Sequence, residues 1–251
     1  MTTPVTPKRA HASHSGGTVY ERYLRTDELL RLQKTEEERL HPDELTFQVV
    51  HQTFELWWKV TAQQLAAASD WLNSGRADEA AAALRRAVTQ QELLRQVIRQ
   101  LEFVSPVDFL TIRAGLEDGS GMDSPGFRAI LRTAPALWST FTRALSRAGL
   151  PLEDAYLQRA HHLAWYECAE ALLDFDEQFH LLRAVHLKLA ERHLGLRAVG
   201  TGGTQMGALE QTLHDLLFPD LWAVRDVLLA RAQERAATRT AGDEPHTLGG
   251  H

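Results

Sequence analysis

From Phe175 the stripe positions of the chain fall at Phe179, Leu182, His186, Leu189 and His193, alternately four and three apart. Only an α-helix puts residues with that spacing on one face. Two of the positions are histidine, where leucine would serve packing alone. The pattern predicts a helix ending at Gly195 as a left-handed C′ cap, because only glycine enters the left-handed conformation cheaply. The loop that follows reads Gly200-Thr201-Gly202-Gly203, and its backbone N–H groups and one hydroxyl suit an anionic or polar ligand.

The same period recurs upstream. His41-Pro42-Asp43-Glu44 places proline and two acids in a first helical turn, which favours a helix start. That helix is expected to run to about Leu72, with Phe47, Val50, His51, Phe54, Trp58 and Leu65 facing inward. Another is predicted from Asp78 to about Phe103. Ser105-Pro106-Val107-Asp108 is a capped start that leads to Phe109 and Arg113, one turn apart. After the glycine-rich segment 115–126, helices are expected from Pro125, from Pro135 to Ala148, from Pro151 through the opening stretch, and from Pro219 to about Arg235. No period-two run, sustained heptad or solenoid repeat interrupts the pattern. The expected fold is all-α, a single-domain bundle of long antiparallel helices over residues 18–235. Residues 1–17 read as a disordered leader and 236–251 as a disordered polar tail.

Bulk properties exclude several classes. A net charge of −6, with basic and acidic residues interspersed, argues against nucleic acid as a partner. No apolar run approaches the roughly 18 residues a membrane span needs. Cys168 is the only cysteine, so no intrachain disulfide can form, which fits a cytoplasmic location.

The candidate chemistry rests on few residues. There is no HExxH, no CxxC and no Glu-x-x-His pair repeated on two helices, which removes the usual zinc-hydrolase and di-iron signatures. His161 and His162 are adjacent and point in different directions on a helix. One helical histidine with apolar neighbours suits haem iron, which needs a proximal imidazole and an apolar slot. A hydrogen-bonded core position is the commoner case for any one of the 12 histidines, and spacing does not choose. His51 reads as a pocket base or hydrogen-bond acceptor, or as a core histidine between Phe47 and Trp58. Arg113 reads as a bidentate carboxylate clamp or a surface ion pair. Thr201 reads as a ligand donor or an ordinary loop residue. The Gly-Thr-Gly-Gly loop lacks the lysine and preceding strand of a phosphate-binding P-loop.

Taken together, the motifs resemble one family. Tyr20-x-x-Tyr23-Leu24, His41-x-Asp43-Glu44, His51-Gln52-Thr53-x-Glu55-Leu56-Trp57-x-Lys59 and Phe109-x-x-x-Arg113 are similar to tryptophan 2,3-dioxygenases. So are Ser120-Gly121, Ser124, Phe127-Arg128, Gln178-Phe179, Arg183, His186, Arg192, Gly195, the Gly200–Gly203 loop and Phe218-Pro219-x-Leu221-Trp222. The resemblance covers roughly Tyr20 to Arg225. It implies an all-α homotetramer (or, in this short chain, a homodimer) holding haem b and using O2. It implies His186 as the iron ligand, nine residues before the helix-ending glycine, in preference to His193. His51 would meet the indole N–H, and Arg113 and Thr201 would bind the carboxylate and ammonium of the substrate. Phe47 and Phe109 would wall the pocket, and Tyr20 and Tyr23 would reach it from a neighbouring subunit. Ser120, Gly121 and Met122 would lie along the cofactor.

The chain departs from the family at Met122 and Asp123, where phenylalanine and glutamine are usual, and at Ile130-Leu131. The segment between there and the long helix is shorter, the run from Gly195 to Gly200 holds one extra residue, and Thr204-Gln205-Met206 replaces serine and glycine. The reaction implied is cleavage of the indole C2–C3 bond of L-tryptophan, or of a close derivative, to N-formylkynurenine. A monooxygenase of a tryptophan or tyrosine derivative is the alternative within the superfamily. A non-enzymatic haem or indole sensor is the alternative outside it.

Overall fold

The computed structural model describes residues 17–117, 119–196, 210 and 212–242. Among these there is no strand, and the helices are α1 (Val19–Leu24), α2 (Thr26–Leu29), α3 (Glu44–Asn73), α4 (Ala77–Ile98), α5 (Pro106–Ala114), α6 (Pro125–Arg147), α7 (Leu152–Leu157), α8 (Leu163–Leu194) and α9 (Pro219–Gly242). The all-α expectation holds. No described helix is long and apolar enough to cross a membrane.

Helix α3 packs on both α4 and α6, and α4 packs along α8. The inward face of α4 is mostly alanine (Ala77, Ala80, Ala81, Ala83, Ala87, with Leu84 and Leu94), so short side chains let its neighbours approach closely. The centre is aromatic: Phe179 stacks on Phe127 at 5.5 Å and on Phe175 at 6.3 Å, joining α8 to α6. Buried Asp176 of α8 accepts hydrogen bonds from the backbone N–H of Leu217 (3.0 Å) and Phe218 (3.1 Å) and from Trp222 Nε1 (3.0 Å), fixing the start of α9.

Four boundaries differ from those expected. Pro135 does not start a helix; it lies inside α6. Its ring is exposed, while Ile130, Ala134, Leu137, Phe141 and Ala144 form one buried stripe across it. Breaking the helix there would give up that shared face, which outweighs one missing N–H bond. The long helix starts at Leu163 rather than Pro151, after the separate turn α7 and a tight bend at 158–162. Tyr156 on α7 donates to Glu170 Oε1 at 2.8 Å, accepts from Arg225 at 2.8 Å, and meets Tyr166 edge-on. Those contacts need α7 folded back beside α8. Helix α4 ends at Ile98 in a 3-10 turn, Arg99–Phe103, and α9 runs on past Arg235 to Gly242.

Candidate functional site

His51 on α3 and His186 on α8 lie close enough for their charges to interact. His186 is half-buried, and neither ring nitrogen has a hydrogen-bond partner among the described residues. Burial, with His51 opposite, pushes its pKa down to about 4, so the ring is neutral and its lone pair available. Burial also lowers the pKa of His51, against the smaller opposing effects of the Phe47 carbonyl and the Glu55 charge. More than a third of the His51 surface is nevertheless open.

The tautomer of His51 follows from its neighbour. Nδ1 lies 2.7 Å from the Phe47 carbonyl oxygen, which can only accept, so Nδ1 carries the proton and donates it. Nε2 is then a free acceptor in the neutral ring. Phe47 packs on His51 with ring centroids 4.1 Å apart, and Phe109 of α5 lies 6.2 Å from Phe47. Arg113, four residues after Phe109 and half-buried, is on the same side of α5. Phe47 thus links His51 to Phe109, so α3 and α5 share one aromatic wall, with Arg113 one turn along α5 and His186 of α8 within electrostatic reach of His51.

The loop before α6 is fixed to α3. Ser120 caps the 3-10 turn Gly121–Asp123, accepting from Met122 N–H at 3.2 Å, while Asp123 accepts from Ser120 N–H at 3.2 Å and pairs with Arg128 at 2.6 Å. The unusual Asp123 is therefore part of a capping box and an ion pair. Glu55, one turn after His51, accepts from the Ser124 hydroxyl and from Gly126 N–H (2.9 Å), which pins the loop to α3. Gly126 is a close-approach glycine: a Cβ there would stand 2.8 Å from Trp58 Cβ. Met122 lines a recess of about 310 Å³ with Phe127, Leu131, Pro135, Leu217 and Arg183, the last of which is one turn before His186. A larger groove of about 540 Å³ between α3 and α4 is lined only by Leu, Val, Thr and Gln, so it offers surface and no ionisable chemistry.

Not every expected residue joins the site. Tyr20 and Tyr23 are 68% and 85% exposed on α1, a helix with no buried residue. Thr201 and the Gly200–Gly203 loop lie outside the described residues, but Gly195 does end α8, at φ 86° and ψ 164°. That is not the left-handed helical cap expected but an extended positive-φ conformation open essentially to glycine alone. His193, by contrast, is buried, with its ring nitrogens on the Leu189 and Val104 carbonyl oxygens. Glu55 was legible only as part of a motif, and nothing in its spacing announced its hold on the loop. His41, Asp43 and Asp108 bring ligand atoms within 4.8 Å of one another, but His41 Nδ1 accepts from Asp43 N–H (3.2 Å), which leaves the proton on Nε2, facing Asp108.

An imidazole on a helix with no hydrogen-bond partner among the described residues, within electrostatic reach of a second imidazole packed on phenylalanine, is a donor set that fits haem. Comparison with known proteins agrees. Residues 6–133 match the family model described as tryptophan 2,3-dioxygenase. A tryptophan 2,3-dioxygenase of Anaeromyxobacter sp. (strain K) is 32% identical over 269 residues, covering 86% of this chain and 98% of that protein. Those of Caulobacter vibrioides (32%, covering 83% and 98%) and Myxococcus xanthus (29%, covering 85% and 91%) are similar over nearly the same span. The family match and the helical bundle that carries its histidines point one way: this chain belongs to the tryptophan 2,3-dioxygenase family.

Proposed function

We propose that this protein is a haem-dependent oxygenase that takes L-tryptophan and O2 to N-formylkynurenine, breaking the indole C2–C3 bond and adding both oxygen atoms. The observation that carries the reading is the proximity of His186, unpartnered among the described residues, to His51 on its phenylalanine wall. His186 would hold the iron of haem b, and Ser120, Gly121 and Met122 would lie along its edge. Bound haem would supply the O2 activation that no side chain here can provide.

The chain's own residues do the rest. His51 accepts the indole N–H at Nε2, because Nδ1 is committed to the Phe47 carbonyl. That contact orients the ring; a strong base is not needed, and burial makes His51 a weak one. Phe47 and Phe109 form one aromatic wall against the indole and exclude water, while Arg113 takes the carboxylate as a bidentate pair. Holding the substrate at both ends turns an encounter into a near-unimolecular step, and proximity of this kind supplies much of the rate. Thr201 adds a contact to the amino-acid head group in this reading.

Helices α1 and α2 bury nothing, yet Val19, Tyr20, Tyr23, Leu24 and Leu30 are apolar and 47–85% exposed. An arm so apolar fits the surface of another copy, so the active form is a homo-oligomer in which Tyr20 and Tyr23 complete a neighbour's site. The folded unit in this reading is one domain, from residue 18 through the end of α9.

The test is an absorption spectrum of the reduced protein with haem, then O2 and L-tryptophan with the product weighed. A Soret band and a gain of 32 mass units, roughly two oxygen atoms, support the reading. A one-oxygen product moves the protein to the monooxygenases. Loss of the Soret band in His186→Ala is expected, and its persistence would remove the iron-ligand assignment.

A further inference from the structure

Helix α5 carries both Phe109 and Arg113, yet it is only nine residues long and Ile112 is its one buried side chain. Packing alone holds such a helix weakly, so its polar tethers set where it stands. On the α3 side, His41 Nε2 lies 3.5 Å from Asp108 Oδ1. On the α8 side the tether is His193. Its Nε2 lies 3.0 Å from the carbonyl oxygen of Val104, the residue before the α5 cap Ser105. Its ring packs on Phe109 at 4.6 Å.

The Val104 carbonyl has no other hydrogen-bond partner among the described residues, and Val104 is 5% exposed. A buried carbonyl left without a donor is costly, so this bond matters to the local structure. The other contact, Nδ1 to the Leu189 oxygen at 2.9 Å, is on a carbonyl already engaged by the helix ladder. His193 is also two turns beyond His186 on the same stripe of α8. The rings of His193, Phe109, Phe47 and His51 form a continuous chain from α8 through α5 to α3.

We infer that His193 is a positioning residue: by bonding the Val104 carbonyl and packing on Phe109, it sets the distance between α5 and α8. It thereby places Arg113 and Phe109 for the amino-acid substrate. It does not touch the substrate. The inference rests on the oxygenase reading for the ligand, but the tether itself is a property of the fold.

Two amide substitutions separate the roles of the ring nitrogens. The Gln amide nitrogen reaches about as far as His Nε2, and the Asn amide nitrogen only as far as Nδ1. His193→Gln therefore keeps the Val104 bond, whereas His193→Asn and His193→Leu lose it. Hydrogen–deuterium exchange of residues 104–113 in the haem-free protein should rise in the Asn and Leu variants and stay near wild type in Gln. In the haem-loaded protein, KM for L-tryptophan should rise about tenfold in Asn and Leu, with kcat within about threefold and the Soret band unchanged. His193→Gln should restore KM to within about twofold of wild type. Equal behaviour of the Gln and Asn variants, or unchanged exchange in α5, overturns the inference. So does loss of cooperative melting in all three variants, which would make His193 a general core residue. If the wild type itself takes up neither haem nor tryptophan, the oxygenase reading fails, while the exchange experiment still decides the tether.

Discussion

Gly126→Ala is the most informative perturbation of the loop that covers the site. A methyl group added there meets Glu55 Oε2 at 2.7 Å, Trp58 Cβ at 2.8 Å and Trp58 Cε3 at 2.9 Å. All are below the separation two heavy atoms tolerate. A long side chain tip could swing away, but Trp58 Cβ is fixed to the α3 backbone, and its ring is held edge-on to Phe54 at 5.1 Å and against Phe127 at 5.9 Å. The start of α6 must therefore move off α3. Overpacking of this kind costs about 1–3 kcal/mol. Alanine recovers at most about 1 kcal/mol of helix propensity over glycine, and less in a first turn. The clash wins, for a net loss of about 1–2 kcal/mol. For a chain of this size that lowers Tm by roughly 3–6 °C. Because Gly126 N–H and the Ser124 hydroxyl both bond Glu55, the same shift loosens the turn carrying Met122, and haem affinity should fall with Tm. The assay is a thermal melt of wild type and variant at equal haem loading, followed by haem titration. A Tm equal to or above wild type would refute the close approach of α6 and α3, since propensity alone would then have prevailed.

Other outcomes follow from the same structure. Arg113→Ala should raise KM for L-tryptophan by about tenfold or more while leaving the Soret band in place, and an unchanged KM in steady-state kinetics removes the clamp. Burial alone would raise the pKa of Glu44, but hydrogen bonds from Lys34 Nζ (2.6 Å) and Leu40 N–H (2.7 Å), with the Lys34 and Arg39 charges, hold it below the ordinary carboxylate range. Its stabilisation is present above the unfolded-state pKa, near about 4.3, and disappears as pH falls through the lower folded value. Glu44→Gln should therefore flatten the acid limb of the stability curve, and denaturant titrations between about pH 3 and 6 that show no difference would exclude the linkage. Burial pushes the Cys168 thiol up to about 12, slightly offset by Arg85. It should resist a thiol reagent at about pH 8 in the native protein and react at once when unfolded; rapid native labelling would contradict its burial.

Much of the fold is readable because helical periodicity is a local signal. The stripe Phe175–Leu189, the capped start at Ser105-Pro106 and the stop at Gly195 all stand where the residue pattern puts them. The failures share a cause. Pro135 is a helix breaker by local rules, but the buried stripe from Ile130 to Ala144 is worth more than one bond, and that comparison needs the neighbouring helices in place. The bend at 158–162 contains neither glycine nor proline; it exists because Tyr156 must reach Glu170 and Arg225, 14 and 69 residues away. Asp123 looked like a loss at the pocket, yet it caps the turn and pairs with Arg128.

The division runs the same way at the site. Sequence determined an all-α chain, the helices that carry His51, Arg113 and His186, and, through the joint motifs, the family to which they belong. Spacing left His186 and His193 equivalent, two turns apart on one stripe. Tertiary structure parted them: His193 meets the Val104 carbonyl, 89 residues away, while His186 lies within electrostatic reach of His51 with its nitrogens unpartnered among the described residues. A helix's period fixes which residues share a face. What that face meets depends on contacts far off in the chain, and only the folded packing of α3, α5 and α8 supplies them.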